Sequence, residues 1–435
     1  MKKKFAKRLL SWVMAAAMVI SMLPISAMAS GTSGNVARIG EQEYATLDEA
    51  VADAADGATI ELLADATTKG WQQSKNLTIK AAEGLTQKPK ITFDTEGLAL
   101  WGVALEFENI DVVMNGIGAT PYGEWKWMAI CASKDASLTL DNVNMTMDAT
   151  GASGSPHAIY FCQNNVLNVL NGSNLTIKNY ANDALEWDGG NGGYNVNITD
   201  STFVSDHNRS GFTGTFYATI TNSDVDVINS TGNGSNGSNF IIDNSNVNFS
   251  DNGGHGLSAG NLTIKNRSIV NGNNNAYYGV VVGGTMTMDG TSSLTANENG
   301  SGYIGGGFCV NQTRDSKTYN ITSRGTAHID SGAQLTLKDN ERHGLLNFGT
   351  FTADEGSKIT ITGNSMNKTS SNPDKDYVGG GVYNHDGTMV LPSDAVIYNN
   401  HAQNGGDDIY NYDDTAEKAS SGRYPDATGY ENVPT

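Results

Sequence analysis

The sequence predicts an all-β solenoid, a stack of short strands that repeat along the chain. The pentapeptide Asn-Leu-Thr-Ile-Lys occurs three times, at residues 76–80, 174–178 and 261–265. Each copy has apolar side chains at its second and fourth positions with Thr between them, which is the two-residue period of a strand with one buried face. Close variants occupy residues 137–141 and 358–362. Self-similarity over most of a chain is typical of stacked repeats rather than of a globule built around one site.

A second repeating element indicates the length of one turn. It is a small or polar residue followed by an apolar residue that we expect to point inward. The ten copies are Ala129-Ile130, Ala158-Ile159, Ala184-Leu185, Gly211-Phe212, Asn239-Phe240, Gly256-Leu257, Gly279-Val280, Gly307-Phe308, Gly344-Leu345 and Gly381-Val382. Their spacing of 17 to 37 residues fits a three-sided coil of about 20–30 residues per turn, with loops at its corners. Stacked Asn side chains are expected to form hydrogen-bonded ladders at those corners.

The first 29 residues have the composition of a secretory signal peptide. A basic head at residues 2–8 precedes an apolar middle, and Ala27-Met28-Ala29 offers a small-x-small cleavage pattern. We therefore expect a secreted protein that is extracellular or associated with the cell surface. No later segment approaches the roughly 18 apolar residues that span a bilayer, so we expect no membrane insertion.

The segments that flank the repeats differ from them. Residues 30–57 are predicted to form an N-terminal cap, because Thr46 and Glu49 have the spacing of a capping box and Leu47 and Val51 share one face of a short amphipathic helix. Residues 412–435 lack periodicity and are predicted to be a tail or linker. An open stack needs a cap at its end because an uncovered turn exposes apolar core and unpaired backbone.

Charge and cysteine content limit the classes of partner and of covalent link. The formal net charge is −19, and such a surface repels nucleic acid and anionic membranes. Three cysteines are too few for a disulfide scaffold. In the register above, Cys131 and Cys162 lie on neighbouring turns but two residues out of step, about 8 Å apart and beyond the reach of a bridge. We expect no disulfides, no nucleic-acid partner and a monomer.

Two segments carry a resemblance to known proteins. Residues 44–60 have the form of an entry cap, and residues 379–384 with 405–411 resemble adhesin-type turns. The sequence here resembles the right-handed parallel β-helix proteins of the pectate-lyase-like superfamily, in particular secreted or surface proteins of Gram-positive gut bacteria. The resemblance implies a right-handed parallel β-helix over residues 58–411. It is a resemblance of architecture and carries no reaction with it.

A Gly-His-Gly string at residues 254–256 is similar to a segment of the polygalacturonases, which are β-helix enzymes. That family also has an Asn-Thr-Asp and an Asp-Asp upstream and an Arg-x-Lys downstream, and this chain lacks them in those places. In the register above, His157, His255 and His343 occupy the same corner of different turns, and the last two are about 14 Å apart. We therefore interpret them as corner residues without partner carboxylates, and we predict no catalytic residue.

An outward strand face carries candidate binding residues. Glu186 and Asp188 alternate with inward residues, so both carboxylates point the same way, beside Tyr160 of the previous turn. Their Cα atoms are expected to be about 6.7 Å apart. That spacing suits a glycosidase pair or half of a Ca²⁺ site, and a solvated acidic face remains the alternative.

The loop at residues 121–127 is the strongest candidate for contact with a ligand. It combines Tyr122, Glu124, Trp125 and Trp127. Exposed Trp and Tyr rings offer flat faces to sugars and anchors to protein partners, and the alternative is that one or more rings folds back over the stack.

These features predict a secreted or cell-surface β-helix protein that acts as an adhesin-like binding module. The expected partners are complex glycans (mucin or plant polysaccharide) or a host or bacterial surface protein. No cofactor is expected, and Ca²⁺ at the acidic face is left open. A polysaccharide lyase or glycoside hydrolase on the same scaffold is the alternative, and a passive spacer is a third.

Overall fold

The protein's structure, a computed structural model, describes residues 34–121, 127–187, 194–214, 216–301, 305–314, 321–366, 378–403 and 405–412. All features below belong to the unit Asn35–Thr435. Among the described residues, no helix is long and apolar enough to cross a membrane.

Three parallel β-sheets are wound from one chain that visits each in turn. Ala58–Leu62 lies in the first sheet, Ala66–Thr68 in the second and Trp71–Gln73 in the third. Leu77–Ala81 then returns to the first sheet and pairs in parallel with Ala58–Leu62. This order repeats along the chain, so the fold is a parallel β-helix, as the sequence predicts. The second sheet has 13 strands.

In chain order, the coil strands of the first sheet are Ala58–Leu62, Leu77–Ala81, Ala104–Glu108, Ser137–Asp141, Val166–Leu170, Tyr194–Thr199, Phe216–Thr221, Ser238–Asp243, Leu257–Lys265, Thr285–Met288, Thr326–Ile329, Thr350–Ala353 and Thr388–Val390. Those of the second are Ala66–Thr68, Lys90–Phe93, Asp111–Asn115, Asn144–Asp148, Asn174–Lys178, Thr202–Asp206, Asp224–Ile228, Asn246–Asn248, Ile269–Asn271, Ser293–Thr295, Gln334–Lys338, Lys358–Thr362 and Val396–Tyr398. Those of the third are Trp71–Gln73, Leu98–Trp101, Met128–Ser133, His157–Phe161, Leu185–Trp187, Phe212–Thr213 and Ser235–Asn236. The same side of the coil continues with Tyr278–Val282, Gly306–Val310, His343–Asn347, Val382–His385 and Ile409–Tyr412, which are joined to the first sheet through Leu257–Lys265.

A few strands lie outside this scheme or join two of its sheets. Leu257–Lys265 is long enough to pair as a third-sheet strand at its start and as a first-sheet strand at its end. Gln312–Arg314 and Ile321–Arg324 form an antiparallel hairpin, and Ser365–Met366 pairs in parallel with His401–Ala402. The last strand, Ile409–Tyr412, extends one residue into the segment predicted as a tail.

The core is the interior of the coil, filled by alternate side chains of every strand. Leu175 and Ile177 of one copy of the pentapeptide are fully buried, whereas Thr176 between them is only half-buried. Aromatic rings continue from coil to coil: Phe161 stacks on Tyr194 at 4.6 Å between centroids, and Tyr194 packs on Phe216 at 5.1 Å. Because each apolar side chain covers the next, the core is continuous along the stack.

Two polar ladders run through the corners. Nδ2 of each asparagine in the first donates to Oδ1 of the next at 2.7–3.0 Å, and the series is Asn252, Asn275, Asn299, Asn340, Asn364 and Asn400. In the second, the backbone N–H of each serine donates to Oγ of the next at 3.1–3.2 Å, and the series is Ser173, Ser201, Ser223, Ser245, Ser268 and Ser292. The asparagine ladder confirms the sequence prediction, and it supplies partners to backbone that would otherwise be buried unpaired.

The asparagine ladder also explains the glycines of the second repeating element. A Cβ at Gly256 would lie 2.6 Å from Nδ2 of Asn275, and one at Gly307 would lie 2.9 Å from Nδ2 of Asn340. The ladder amide therefore fills the space that a side chain would need.

One copy of the second repeating element was assigned to the wrong sheet. Phe240 pairs with Ala218 in the first sheet, and the residue that follows Phe212 in the third sheet is Ser235. The correct element is Gly234-Ser235, whose second residue is polar and so does not fit the predicted pattern. The 17-residue step from Asn239 to Gly256 reflects this slip.

The N-terminal cap combines the predicted helix with a hairpin. The helix spans Leu47–Asp53, and the N–H of Glu49 donates to Oγ1 of Thr46 at 3.2 Å while the N–H of Thr46 donates to the Glu49 carboxylate, so the capping box is confirmed. The sequence did not reveal the hairpin of Ala37–Ile39 and Gln42–Tyr44, whose first strand pairs antiparallel with Ala58–Leu62. This antiparallel strand covers the edge of the first parallel coil.

The cysteines behave as predicted. Cys131 pairs in register with Tyr160, two residues short of Cys162. These two cysteines and Cys309 are buried thiols outside any disulfide among the described residues. Burial raises the pKa of the Cys309 thiol to about 12, which makes that thiol a poor nucleophile.

Candidate functional site

The outer face of the third sheet brings three of the predicted site residues together. Trp127, Tyr160 and Glu186 lie on three successive coils. The other four predicted residues, Tyr122, Glu124, Trp125 and Asp188, lie outside the described residues.

Strand alternation and coil register place this group. Ile159 and Phe161 point into the core, so Tyr160 between them points outward, and it pairs in register with Glu186 of the next coil. Trp127 comes directly before the strand Met128–Ser133 on the preceding coil. Its ring meets that of Tyr160 edge to face, with 4.8 Å between centroids and 82° between planes.

His157 belongs to the same group, which the sequence interpretation missed. Its ring lies 5.2 Å from that of Trp127 and 5.6 Å from that of Tyr160. Its Nδ1 atom contacts Oε2 of Glu186 and lies 3.8 Å from Oδ2 of Asp183. The expectation that His157 has no partner carboxylate is therefore wrong. The coil register could have revealed these contacts. Leu185 pairs with Ile159, so Asp183 and Glu186, within two residues of Leu185, lie on the coil next to His157.

Asp183 is fully buried and is held by Arg209 of the following coil. Nε of Arg209 donates to Oδ1 of Asp183 at 3.0 Å, and Nη2 of Arg209 donates to Oδ2. The hydrogen bond to Asp183 raises the pKa of the Arg209 guanidinium against the opposing effect of burial. This bidentate partner fixes the orientation of the buried carboxylate.

Several polar atoms at the site have no aligned hydrogen-bond partner among the described residues. They include Nδ1 of His157, Oε2 of Glu186, Oγ1 of Thr213 and the hydroxyl of Tyr194. The contact between His157 and Glu186 is close, but it is not aligned as a hydrogen bond. Burial, followed by the charges of Glu186 and Asp183, raises the pKa of Tyr194 well above its usual value. Buried polar atoms without partners are rare in folded proteins and mark a place where a ligand can complete them.

The other corner histidines follow the sequence interpretation. His255 and His343 lie three coils apart, because Leu257, Val280, Phe308 and Leu345 pair in succession. Burial lowers the pKa of each imidazole to about 4. Nδ1 of His343 donates to the backbone oxygen of Gly379 at 2.7 Å, which gives that histidine a structural partner.

Comparison with known proteins adds little to the geometry described above. No protein-family model and no curated protein matches the chain. Among solved structures, the crystal structure of the periplasmic alginate epimerase AlgG is similar, with 11% sequence identity over 81% of this chain and 85% of that chain. The TM-score is 0.26, which is too low to support an argument about function.

Proposed function

We propose that the protein is exported and acts at the cell surface or outside the cell as a binding module for complex glycans. The observation that carries this proposal is the position of Trp127. Trp127 is 41% exposed in the described structure and packs against Tyr160 and His157. His157 in turn contacts the carboxylate of Glu186 on the next coil. An aromatic face next to hydrogen-bonding groups is the arrangement that sugar rings need.

The chemistry of the surrounding residues favours a polar ligand. The carboxylate of Glu186 accepts from sugar hydroxyls, and the half-exposed guanidinium of Arg209 donates to them. The net charge of −19 disfavours polyanionic chains, so we propose neutral glycans of mucin or plant polysaccharide as the first class of partner. A host or bacterial surface protein is the second class. One shallow site gives modest affinity, which several copies on a surface would multiply.

The test is binding of a Trp127→Ala variant to a glycan array and to mucin, with and without Ca²⁺. We expect a loss of at least about tenfold, the effect of removing a central aromatic contact. Tyr217→Ala is the matched control, because Tyr217 is 54% exposed on the outer face of the first sheet. Equal binding by wild type and Trp127→Ala, or an equal loss with Tyr217→Ala, contradicts the proposed site.

A polysaccharide lyase or glycoside hydrolase is a second candidate, favoured by one observation. His157 lies against Tyr160 and contacts Glu186, and these are residue types that transfer protons in catalysis. Release of reducing ends or unsaturated uronates from pectin, alginate or chondroitin would support this candidate if His157→Gln abolishes it. Binding without any such release supports the binding module.

A further inference from the structure

We infer that His157, Asp183 and Glu186 form a binding site for a divalent transition-metal cation of the Zn²⁺ or Mn²⁺ type. The inference does not depend on glycan binding. It rests on the geometry of three side chains from two neighbouring coils.

The three donor atoms converge on one point. Nδ1 of His157, Oδ2 of Asp183 and Oε2 of Glu186 all lie within 4.8 Å of one another, and the first two are 3.8 Å apart. Metal–ligand bonds of about 2.0–2.2 Å bring such atoms to a common ion after a side-chain movement of roughly 1 Å or less. Glu186 can make that movement, since its side chain is 20% exposed.

A separate observation points to a ligand at this place. The His157 side chain is only 8% exposed, and its Nδ1 faces two carboxylates without an aligned hydrogen bond among the described residues. When the proton of the neutral imidazole is on Nε2, Nδ1 presents a lone pair toward the oxygens of Asp183 and Glu186. A buried lone pair facing two carboxylates has no favourable partner except a proton or a cation.

Arg209 supports Asp183 from the side away from His157. It donates to both oxygens of Asp183, and each carboxylate oxygen keeps a second lone-pair direction for an ion. Hydrogen bonds of this kind orient ligating carboxylates in metal sites. Two carboxylates against one guanidinium also leave the site with a net negative charge that attracts a dication.

The donor set selects the class of ion. Ca²⁺ takes six to eight oxygens, and Mg²⁺ prefers oxygen ligands and retained water. Imidazole with two carboxylates suits Zn²⁺ or Mn²⁺. Three protein ligands would leave at least one coordination position open. Trp127 lies against the ring of His157, one of the three ligands.

The test is metal binding by untagged protein that has first been treated with a chelator. Calorimetry and elemental analysis after dialysis against Zn²⁺, Mn²⁺ or Ca²⁺ should give one equivalent of Zn²⁺ or Mn²⁺ bound in preference to Ca²⁺. His157→Gln and Glu186→Gln should each weaken binding at least about 10- to 100-fold, since loss of even a supporting residue has that effect.

The matched control is His328→Gln. His328 lies beside Asp330 and Asp354 in a more exposed cluster, with Nε2 3.1 Å from Oδ1 of Asp330, and its loss should leave the tight equivalent in place. Absence of tight binding, a preference for Ca²⁺, or unchanged binding by both site variants overturns the proposal. If circular dichroism shows that His157→Gln does not fold, two other measurements test the site. They are metal binding by Glu186→Gln and the absorption bands of Co²⁺ bound to the wild-type protein. These readouts contain no glycan, so they fail or succeed independently of the proposed function.

Discussion

Removal of one amide from the asparagine ladder should destabilise the coil far more than its size suggests. Asn299 is fully buried, and its Oδ1 accepts from both the N–H and the Nδ2 of Asn275, at 2.8 and 3.0 Å. Its Nδ2 donates to Oδ1 of Asn340 at 3.0 Å. Asn299→Ala therefore leaves two buried donors of Asn275 without an acceptor.

Each buried polar group left unpaired costs about 1–3 kcal/mol, so we expect Asn299→Ala to lower the free energy of unfolding by about 2–5 kcal/mol. Denaturation by guanidinium chloride measures the change. The control Asn246→Ala should stay within about 0.5 kcal/mol, because the side chain of Asn246 is exposed and makes no hydrogen bond among the described residues.

Hydrogen exchange tests the location of this effect, which matters because stacked coils can open separately. The amide of Asn275 should exchange faster in Asn299→Ala than in wild type, and amides of the N-terminal coils should not. A destabilisation below about 1 kcal/mol, or faster exchange spread evenly along the chain, would refute the ladder as a stabilising element.

Three further predictions concern the core, the ladder glycines and pH. Phe212→Ala should cost about 3–5 kcal/mol by denaturation, because the ring is fully buried among other aromatic rings. Gly307→Ala should destabilise the protein, because the new Cβ would lie 2.6 Å from a backbone oxygen and 2.9 Å from Nδ2 of Asn340; unchanged stability would contradict the packing. Burial lowers the pKa of His255 and His343 to about 4, so stability should be complete above about pH 6.5. It should then fall by about 1.4 kcal/mol per histidine for each pH unit between about 6.5 and 4. Replacement of both histidines by Gln should flatten that fall in a pH series of denaturation midpoints.

The strands could be predicted from the sequence because their signal is local. Residues 174–178 and 334–338 alternate apolar and polar side chains, and both are strands with alternate burial. The capping box of Thr46 is equally local. The N-terminal hairpin was missed because Gln42 and Glu43 carry no apolar period, and the strand that they form is held by backbone pairing to its neighbours.

The site was only partly predictable, since it depends on register between coils. Tyr160 and Glu186 were placed side by side because both sit one residue after an inward apolar residue. His157, Asp183 and Arg209 are each about one turn apart in sequence, and their contacts follow only when neighbouring coils are aligned residue by residue. Because Ser235 was not recognised as the partner of Phe212, one coil was misaligned in the sequence prediction. The coils that carry the site were aligned correctly.

Engineered disulfides test the coil register on which the site depends. Thr139 and Asn168 pair across the first sheet of the same coils that supply Cys131 and Tyr160, and Nδ2 of Asn168 donates to Oγ1 of Thr139 at 3.0 Å. Val166, two residues earlier, pairs with residue 137 instead, which puts its Cα about 8 Å from that of Thr139.

The decisive measurement is disulfide formation under mild oxidation, scored by mass spectrometry, in a background with the three native cysteines replaced by Ala. Thr139→Cys with Asn168→Cys should form the bond, and Thr139→Cys with Val166→Cys should not. The reverse result would mean that these two coils are aligned differently and that Trp127 does not meet Tyr160 and His157 as described.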